Sequence, residues 1–179
     1  VVATAATSCG DWGEGVRSVA AVSGDFVGAP SAREQVLVVD TGVGNFAVGG
    51  VGEVRHLADA DSRRLGRLTA WTFEACDPSD PLVCWRTEDD QRPWVEMTAD
   101  GGRTWEREYE MSEEEAEDLL DDLGERCGDL PRFRPQDLSV LGTADGPIVA
   151  VAAEQAGLLL RMPGQPWRRV SSDELRSTG

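Results

Sequence analysis

Short strand-like runs recur in this chain in three sets of four, and that recurrence limits the fold more than any other feature. The first set is Val16–Val22, Gln35–Asp40, Asn45–Val48 and Glu53–Leu57. The second is Leu68–Ala75, Leu82–Thr87, Trp94–Met97 and Thr104–Glu108. The third is Asp137–Leu141, Pro147–Ala153, Gly157–Met162 and Trp167–Val170. Each run is four to eight residues long, rich in Val, Leu, Ile or Trp, and bounded by Gly, Pro, Asp or Ser. That combination reads as β-strands joined by tight turns. Gln35–Asp40 is apolar at successive positions through Val36–Val39, so it belongs in a sheet interior, with both faces covered.

The connection between the third and fourth strands of the second set is the clearest turn. It reads Thr98-Ala99-Asp100-Gly101-Gly102-Arg103-Thr104-Trp105. An Asp at this point accepts hydrogen bonds from turn amides. Gly102 supplies positive φ without steric cost. Thr104 is placed to bond back to the loop, and Trp105 to pack its ring beneath it. The third set has a related connection, Pro163-Gly164-Gln165-Pro166-Trp167, and the first has Gly49-Gly50-Val51-Gly52-Glu53-Val54.

The stretch Thr98-x-Asp100-x-Gly102-x-Thr104-Trp105 resembles the Asp-box, the S/T-x-D-x-G-x-T-W repeat of bacterial neuraminidases (the BNR repeat). It agrees at all five defined positions. More broadly the chain resembles secreted Asp-box β-propeller proteins of actinobacteria. The resemblance implies an all-β, β-propeller-like fold of about three four-stranded blades with one inserted helix. In that family the box joins a blade's two outer strands. It also directs attention to a sialidase-type active site, with three arginines, a Tyr–Glu nucleophile pair and an acidic Asp. Here Phe133-Arg134-Pro135 lacks the Ile of the family's arginine signature. The only tyrosine, Tyr109, adjoins Glu108 and Glu110, which strict strand alternation would turn to opposite faces. No catalytic residue is assigned, and the chain is expected not to be an enzyme.

One segment departs from the strand pattern. Ser112 with Glu115 forms a capping box, and Glu113 and Glu114 suit the positive end of a helix dipole. Ala116, Leu119, Leu120 and Leu123 fall on one stripe, so residues 112–126 are expected to form a helical insertion ended by Gly124. Its other face is acidic but lacks the spacing of a calcium loop, and no metal site or cofactor is expected. Ser171 with Glu174 predicts a short terminal helix. Domain organisation is read as an N-terminal segment, residues 1–15, followed by one domain over 16–179.

The four cysteines are Cys9, Cys76, Cys84 and Cys127, with no C-x-x-C pair among them. Cys76 and Cys84 flank a Pro/Asp turn that brings them together, which leaves Cys9 to pair with Cys127. Disulfides imply an oxidising compartment. Cys9 has a second reading: Val1–Cys9 resembles the end of a signal peptide running into a lipoprotein cleavage box, with Ala6 where Leu is usual. Localisation is therefore expected to be extracellular or at the cell envelope, with a lipoprotein as one form. No apolar run approaches the ~20 residues of a membrane-spanning helix.

Charge narrows the partners. There are 33 acidic residues against 17 basic ones, all Arg, for a net charge of −16. Such a surface repels phosphate backbones, so nucleic acid is not an expected partner. Six tryptophans are many for 179 residues. Trp105 and Trp167 sit at turn positions and read as structural. Trp12, in a Gly-rich loop, is the candidate binding residue. The functional expectation is a non-catalytic, secreted interaction module on an Asp-box scaffold that binds a protein partner or a second copy. Its alternative is a protein that binds or hydrolyses glycans.

Overall fold

The structure is a computed structural model, and it describes residues 16–23, 35–41, 44–48, 54–57, 72–88, 90, 92–127 and 133–177. The first set of strands becomes β1 (Val16–Ser23), β2 (Gln35–Thr41), β3 (Gly44–Val48) and β4 (Val54–His56). The second becomes β5 (Glu74–Asp77), β6 (Asp80–Arg86), β7 (Trp94–Thr98) and β8 (Glu106–Glu110). The third becomes β9 (Asp137–Thr143), β10 (Gly146–Ala152), β11 (Leu158–Arg161) and β12 (Arg168–Val170). Each set forms its own four-stranded sheet in which sequence neighbours are spatial neighbours. Every pairing is antiparallel.

Burial explains how the three sheets stack. In β10, Ile148, Ala150 and Ala152 face one way and Val149 and Val151 the other, and all five are 0 % exposed. The first group joins Leu158 and Leu160 of β11 in a core shared with Leu37, Val39, Phe46 and Val48 of the first sheet. The second joins Leu138, Val140 and Leu159 in a core shared with Trp85 and Val95 of the second sheet. The third sheet is thus the middle layer, covered on both faces. Its near-continuous apolar strands follow from that position. Each fully buried Leu, Ile or Val contributes roughly 1.5–3 kcal/mol, so this layer carries much of the hydrophobic stabilisation.

Helices close the two cores. α1 (Glu113–Cys127) starts at a reciprocal cap: Glu115 N–H donates to Ser112 Oγ at 3.1 Å, and Ser112 N–H donates to Glu115 Oε2 at 2.9 Å. Its Ala116 and Leu119 are buried in the core between the second and third sheets. The helix runs through Gly124 to Cys127 instead of stopping at the glycine. α2 (Ser172–Ser177) is capped by Ser171 Oγ, which accepts from Glu174 N–H at 3.1 Å, and it inserts Leu175 into the other core. Between β10 and β11 the chain turns sharply at Gly157, whose φ is +93°. A Cβ there would lie 2.3 Å from the Val170 carbonyl oxygen, so only glycine fits.

The propeller expectation is overturned. Among the described residues, none of the three sheets is closed or curled into a blade, and they form no ring. With it falls the resemblance to an Asp-box, or BNR, propeller family. The physical reason is one of scale. A box such as Thr98–Trp105 fixes a hairpin, and a recurrent four-strand pattern fixes meanders. Neither fixes how separate sheets are arranged. Here that arrangement is set by a sheet with two apolar faces, which gathers a partner on each side.

Candidate functional site

The Thr98–Trp105 hairpin is built around Asp100. Its Oδ1 accepts the amides of Arg103 and Thr104, both at 2.9 Å, and the Thr98 hydroxyl at 2.8 Å. Its Oδ2 accepts the Thr104 hydroxyl at 2.7 Å. Thr98 Oγ1 in turn accepts from Gly102 N–H at 3.0 Å. Gly101 and Gly102 take φ of +72° and +86°, which turns these amides inward. A Cβ on Gly102 would touch the Trp105 ring at 3.7 Å, so the ring lies against the turn. The Thr104 amide, then the Thr104 and Thr98 hydroxyls, hold the Asp100 carboxyl down to about 2 from an ordinary 3.8.

Beside the hairpin, the outer face of the second sheet carries a charged ladder. Arg86, Glu96 and Arg107 stand opposite one another on β6, β7 and β8. Arg86 Nη2 reaches Glu96 Oε2 at 2.7 Å, and Arg107 Nη2 reaches Glu96 Oε1 at 3.3 Å. Each guanidinium also stacks on an indole, Arg86 over Trp105 and Arg107 over Trp94, both at 4.2 Å. The Arg86 hydrogen bond, followed by that of Arg107, lowers the Glu96 pKa. Trp105 thus joins hairpin to ladder, while Trp94 and Thr98 are buried.

On the inner face of this sheet the expected alternation breaks. Val95 pairs with Tyr109 but Glu96 pairs with Arg107, so Glu108 is an extra residue in β8. The bulge turns Glu108 and Tyr109 both toward the third sheet. Glu108 Oε2 accepts Trp85 Nε1–H at 2.8 Å, and Oε1 meets Arg161 Nε at 2.9 Å. Tyr109 packs on Trp167, with ring centroids 5.7 Å apart. Burial, reinforced by Glu115 and opposed by Arg169, pushes the Tyr109 hydroxyl up to about 12. The Glu108 carboxylate and the Tyr109 ring are therefore both occupied in holding sheets together.

Asp137, at the start of β9, does comparable work in the interior and was not a candidate on sequence grounds. It is 3 % exposed. Its Oδ1 accepts Thr72 N–H at 2.9 Å and its own neighbour Leu138 N–H at 3.1 Å, and its Oδ2 accepts Val19 N–H at 3.2 Å. One carboxylate thereby ties β1, the entry to β5, and β9. Ser139 extends the junction, its Oγ accepting Ala21 N–H at 3.1 Å. Burial raises the Asp137 pKa, and the Thr72, Val19 and Leu138 amides pull against it. The available signal was a lone Asp leading into the apolar run Leu138–Leu141.

Cys76 and Cys84 are opposite one another on β5 and β6 and are disulfide-bonded, with Cα atoms 3.9 Å apart. Cys76 is exposed and Cys84 is 5 % exposed. Cys9 and Trp12 lie outside the described residues, as does the side chain of Cys127, so the second pairing and the Trp12 surface have no structural account. Among the described residues, no group of three or more His, Cys, Asp or Glu could hold a metal ion. No described helix is long and apolar enough to cross a membrane.

The chain matches no known family model and no curated protein. The functional expectation is corrected with the fold. A propeller-borne interaction module loses its scaffold, and the glycan-binding or glycan-hydrolysing alternative loses its support. The described aromatic rings do not gather into a sugar platform. Trp85 is in the core, Trp94 and Trp105 each lie under an arginine, and Trp167 packs on Tyr109.

Proposed function

We propose that the protein works in an oxidising compartment, outside the cytoplasm or at the cell envelope, as a non-enzymatic domain whose counterpart is another protein chain or a second copy. The observation that carries the compartment is the Cys76–Cys84 bond, formed between directly paired residues on an accessible hairpin. Such a bond does not persist against cytosolic thiol pools. The non-enzymatic part is supported by how the hydrogen-bonded carboxylates are used. Asp100 and Asp137 collect backbone amides, and Glu96 and Glu108 hold arginines. The net charge of −16 supports a protein surface over nucleic acid as counterpart.

The test is a thiol count on protein taken from its native cells, with rapid acid quenching before alkylation. Cys76 and Cys84 are expected to resist labelling until a reductant is added. Labelling of both without reductant would overturn the compartment. Solution mass by light scattering, on the purified chain alone and with native extract, reports the counterpart. A strictly monomeric species in both samples would remove it.

A further inference from the structure

The two sulfurs of the disulfide are not equivalent. Cys76 lies on β5, the edge strand of the second sheet, and is exposed. Cys84 lies on the next strand inward and is 5 % exposed, with its Sγ 3.5 Å from the Pro81 carbonyl oxygen. The residues of the surrounding loop, Pro78 to Pro81, are all exposed. Thiol–disulfide exchange needs a thiolate to approach one sulfur along the S–S axis, so access decides which sulfur is attacked. Here Cys76 is the exposed member of the pair and Cys84 the buried one.

From this asymmetry we propose that the Cys76–Cys84 bond is a directional exchange site for an external thiol. The incoming thiolate bonds to Cys76 Sγ, the S–S bond breaks, and its electron pair leaves on Cys84 Sγ, which takes up a proton. The product is a mixed disulfide on Cys76 and a shielded thiol on Cys84. A second external thiolate, attacking the external sulfur of that mixed disulfide, releases the dithiol; return attack by Cys84 restores the original bond. The oxidant and reductant are the disulfide and the external thiol, so the exchange balances with no further reactant.

The site also has a structural reach. β5 pairs with β6 over Glu74, Ala75, Cys76 and Asp77, with one further bond from Thr87 N–H to Phe73 O at 2.8 Å. Immediately before it, Thr72 N–H donates to Asp137, and Thr72 O accepts Leu138 N–H at 2.7 Å. Opening the bond loosens the short strand that leads into the three-sheet junction. Exchange at an exposed sulfur is thereby coupled to the interior contact at Asp137.

This proposal rests on the same bond as the oxidising-compartment reading, and the experiment keeps the two apart. Purified oxidised protein is titrated with reduced glutathione, quenched in acid and alkylated, and adducts are located by fragmentation of the 68–86 peptide. Glutathione is expected on Cys76 in roughly tenfold excess over Cys84, with the alkyl label on Cys84. Equal adducts, or an excess on Cys84, would overturn the direction while leaving the compartment intact. Absence of the bond in the native protein would overturn both. A second arm uses Cys84→Ser and Cys76→Ser with an aromatic disulfide reagent: the thiol of C84S should react roughly tenfold faster than that of C76S, and equal rates would also overturn the proposal. If either variant fails to fold, the wild-type titration decides. Amide exchange at Thr72 should rise on full reduction, and an unchanged rate would overturn the coupling to the junction.

Discussion

Asp100 and Asp137 perform the same operation in opposite surroundings. Each carboxylate collects several hydrogen-bond donors: two amides and two hydroxyls at Asp100, and three amides at Asp137, of which that of Leu138 is shared with the Thr72 carbonyl oxygen. The donors of Asp100 come from residues 98–104, so it organises a hairpin. Those of Asp137 come from residues 19, 72 and 138, so it organises an assembly of sheets. Their pKa shifts are opposite. Asp100 is only half-buried on the surface hairpin, its charge is hydrated as well as hydrogen-bonded, and its carboxyl is held down to about 2. Asp137 is buried, and the loss of hydration outweighs three amides. A local turn can thus be tied by a charge at little cost, whereas an interior tie is made against desolvation.

The largest expected effect comes from removing the interior tie. Asp137→Ala leaves the buried Val19 amide and the part-buried Thr72 amide without their acceptor, partly offset by recovery of the desolvation cost. We expect a loss of about 2–4 kcal/mol in urea unfolding at pH 7. Asp100→Ala should leave the global midpoint closer to wild type, while amide exchange at Arg103 and Thr104 rises about tenfold or more. Equal shifts of the midpoint would break the comparison.

Titration sharpens the same contrast, because the two groups have opposite linkage. The folded-state pKa of Asp100 is depressed, so its contribution is present above the ordinary 3.8 and is lost as pH falls toward about 2. The penalty of Asp100→Asn should therefore shrink over that window. The folded-state pKa of Asp137 is raised above 3.8, so the folded protein binds the proton first and gains stability as pH falls through that window. The penalty of Asp137→Asn should grow as pH is lowered, over the range just above 3.8. Unfolding free energies of wild type and the two variants between pH 6 and pH 3 check the signs; penalties that move together would contradict them.

The contrast also separates what was legible in the sequence from what was not. The twelve described strands, the capped helix, the Asp100 hairpin and the Cys76–Cys84 neighbourhood are written in contiguous residues, where period and turn chemistry can be read directly. Asp137 meets its donors across sequence separations of 118 and 65 residues, and no local pattern records that. The β8 bulge was hidden for a similar reason. Alternation predicts Glu108 and Tyr109 on opposite faces, and only the register against β7 reveals that both turn inward. The sheet stack itself was misread as a ring because the hairpin motif was asked to report an arrangement it does not determine. The doubly apolar run Gly146–Ala152 was the better witness, since a strand buried on both faces needs a layer on each side.

A smaller effect tests whether the hairpin depends on backbone shape as well as on its carboxylate. Gly102 sits at φ +86° with the Trp105 ring against its open face. Alanine there must adopt a left-handed conformation, at a cost of about 1–2 kcal/mol. The change should appear in the unfolding midpoint and in Trp105 fluorescence, with exchange at Val19 and Thr72 rising no more than the global loss requires. Selective loosening of those two amides would mean that hairpin and junction are coupled, contrary to their separate construction.

The smallest expected effect falls on the ladder, where charge is paired with charge instead of with backbone. Glu96 joins Arg86 and Arg107, whose side chains are 36 % and 40 % exposed. Glu96→Gln keeps an acceptor for one arginine but removes the ionic attraction to both, while Trp105 and Trp94 still stack under the guanidinium groups. A loss of about 0.5–1 kcal/mol is expected at low ionic strength. Raising salt toward ~1 M shortens the screening length to about 3 Å, so this penalty should largely vanish there. The penalty of Asp137→Ala should be almost unchanged by the same salt, because mobile ions do not reach a carboxylate 3 % exposed to solvent. A salt-sensitive junction with a salt-insensitive ladder would reverse the assignment of buried and exposed electrostatics on which the comparison stands.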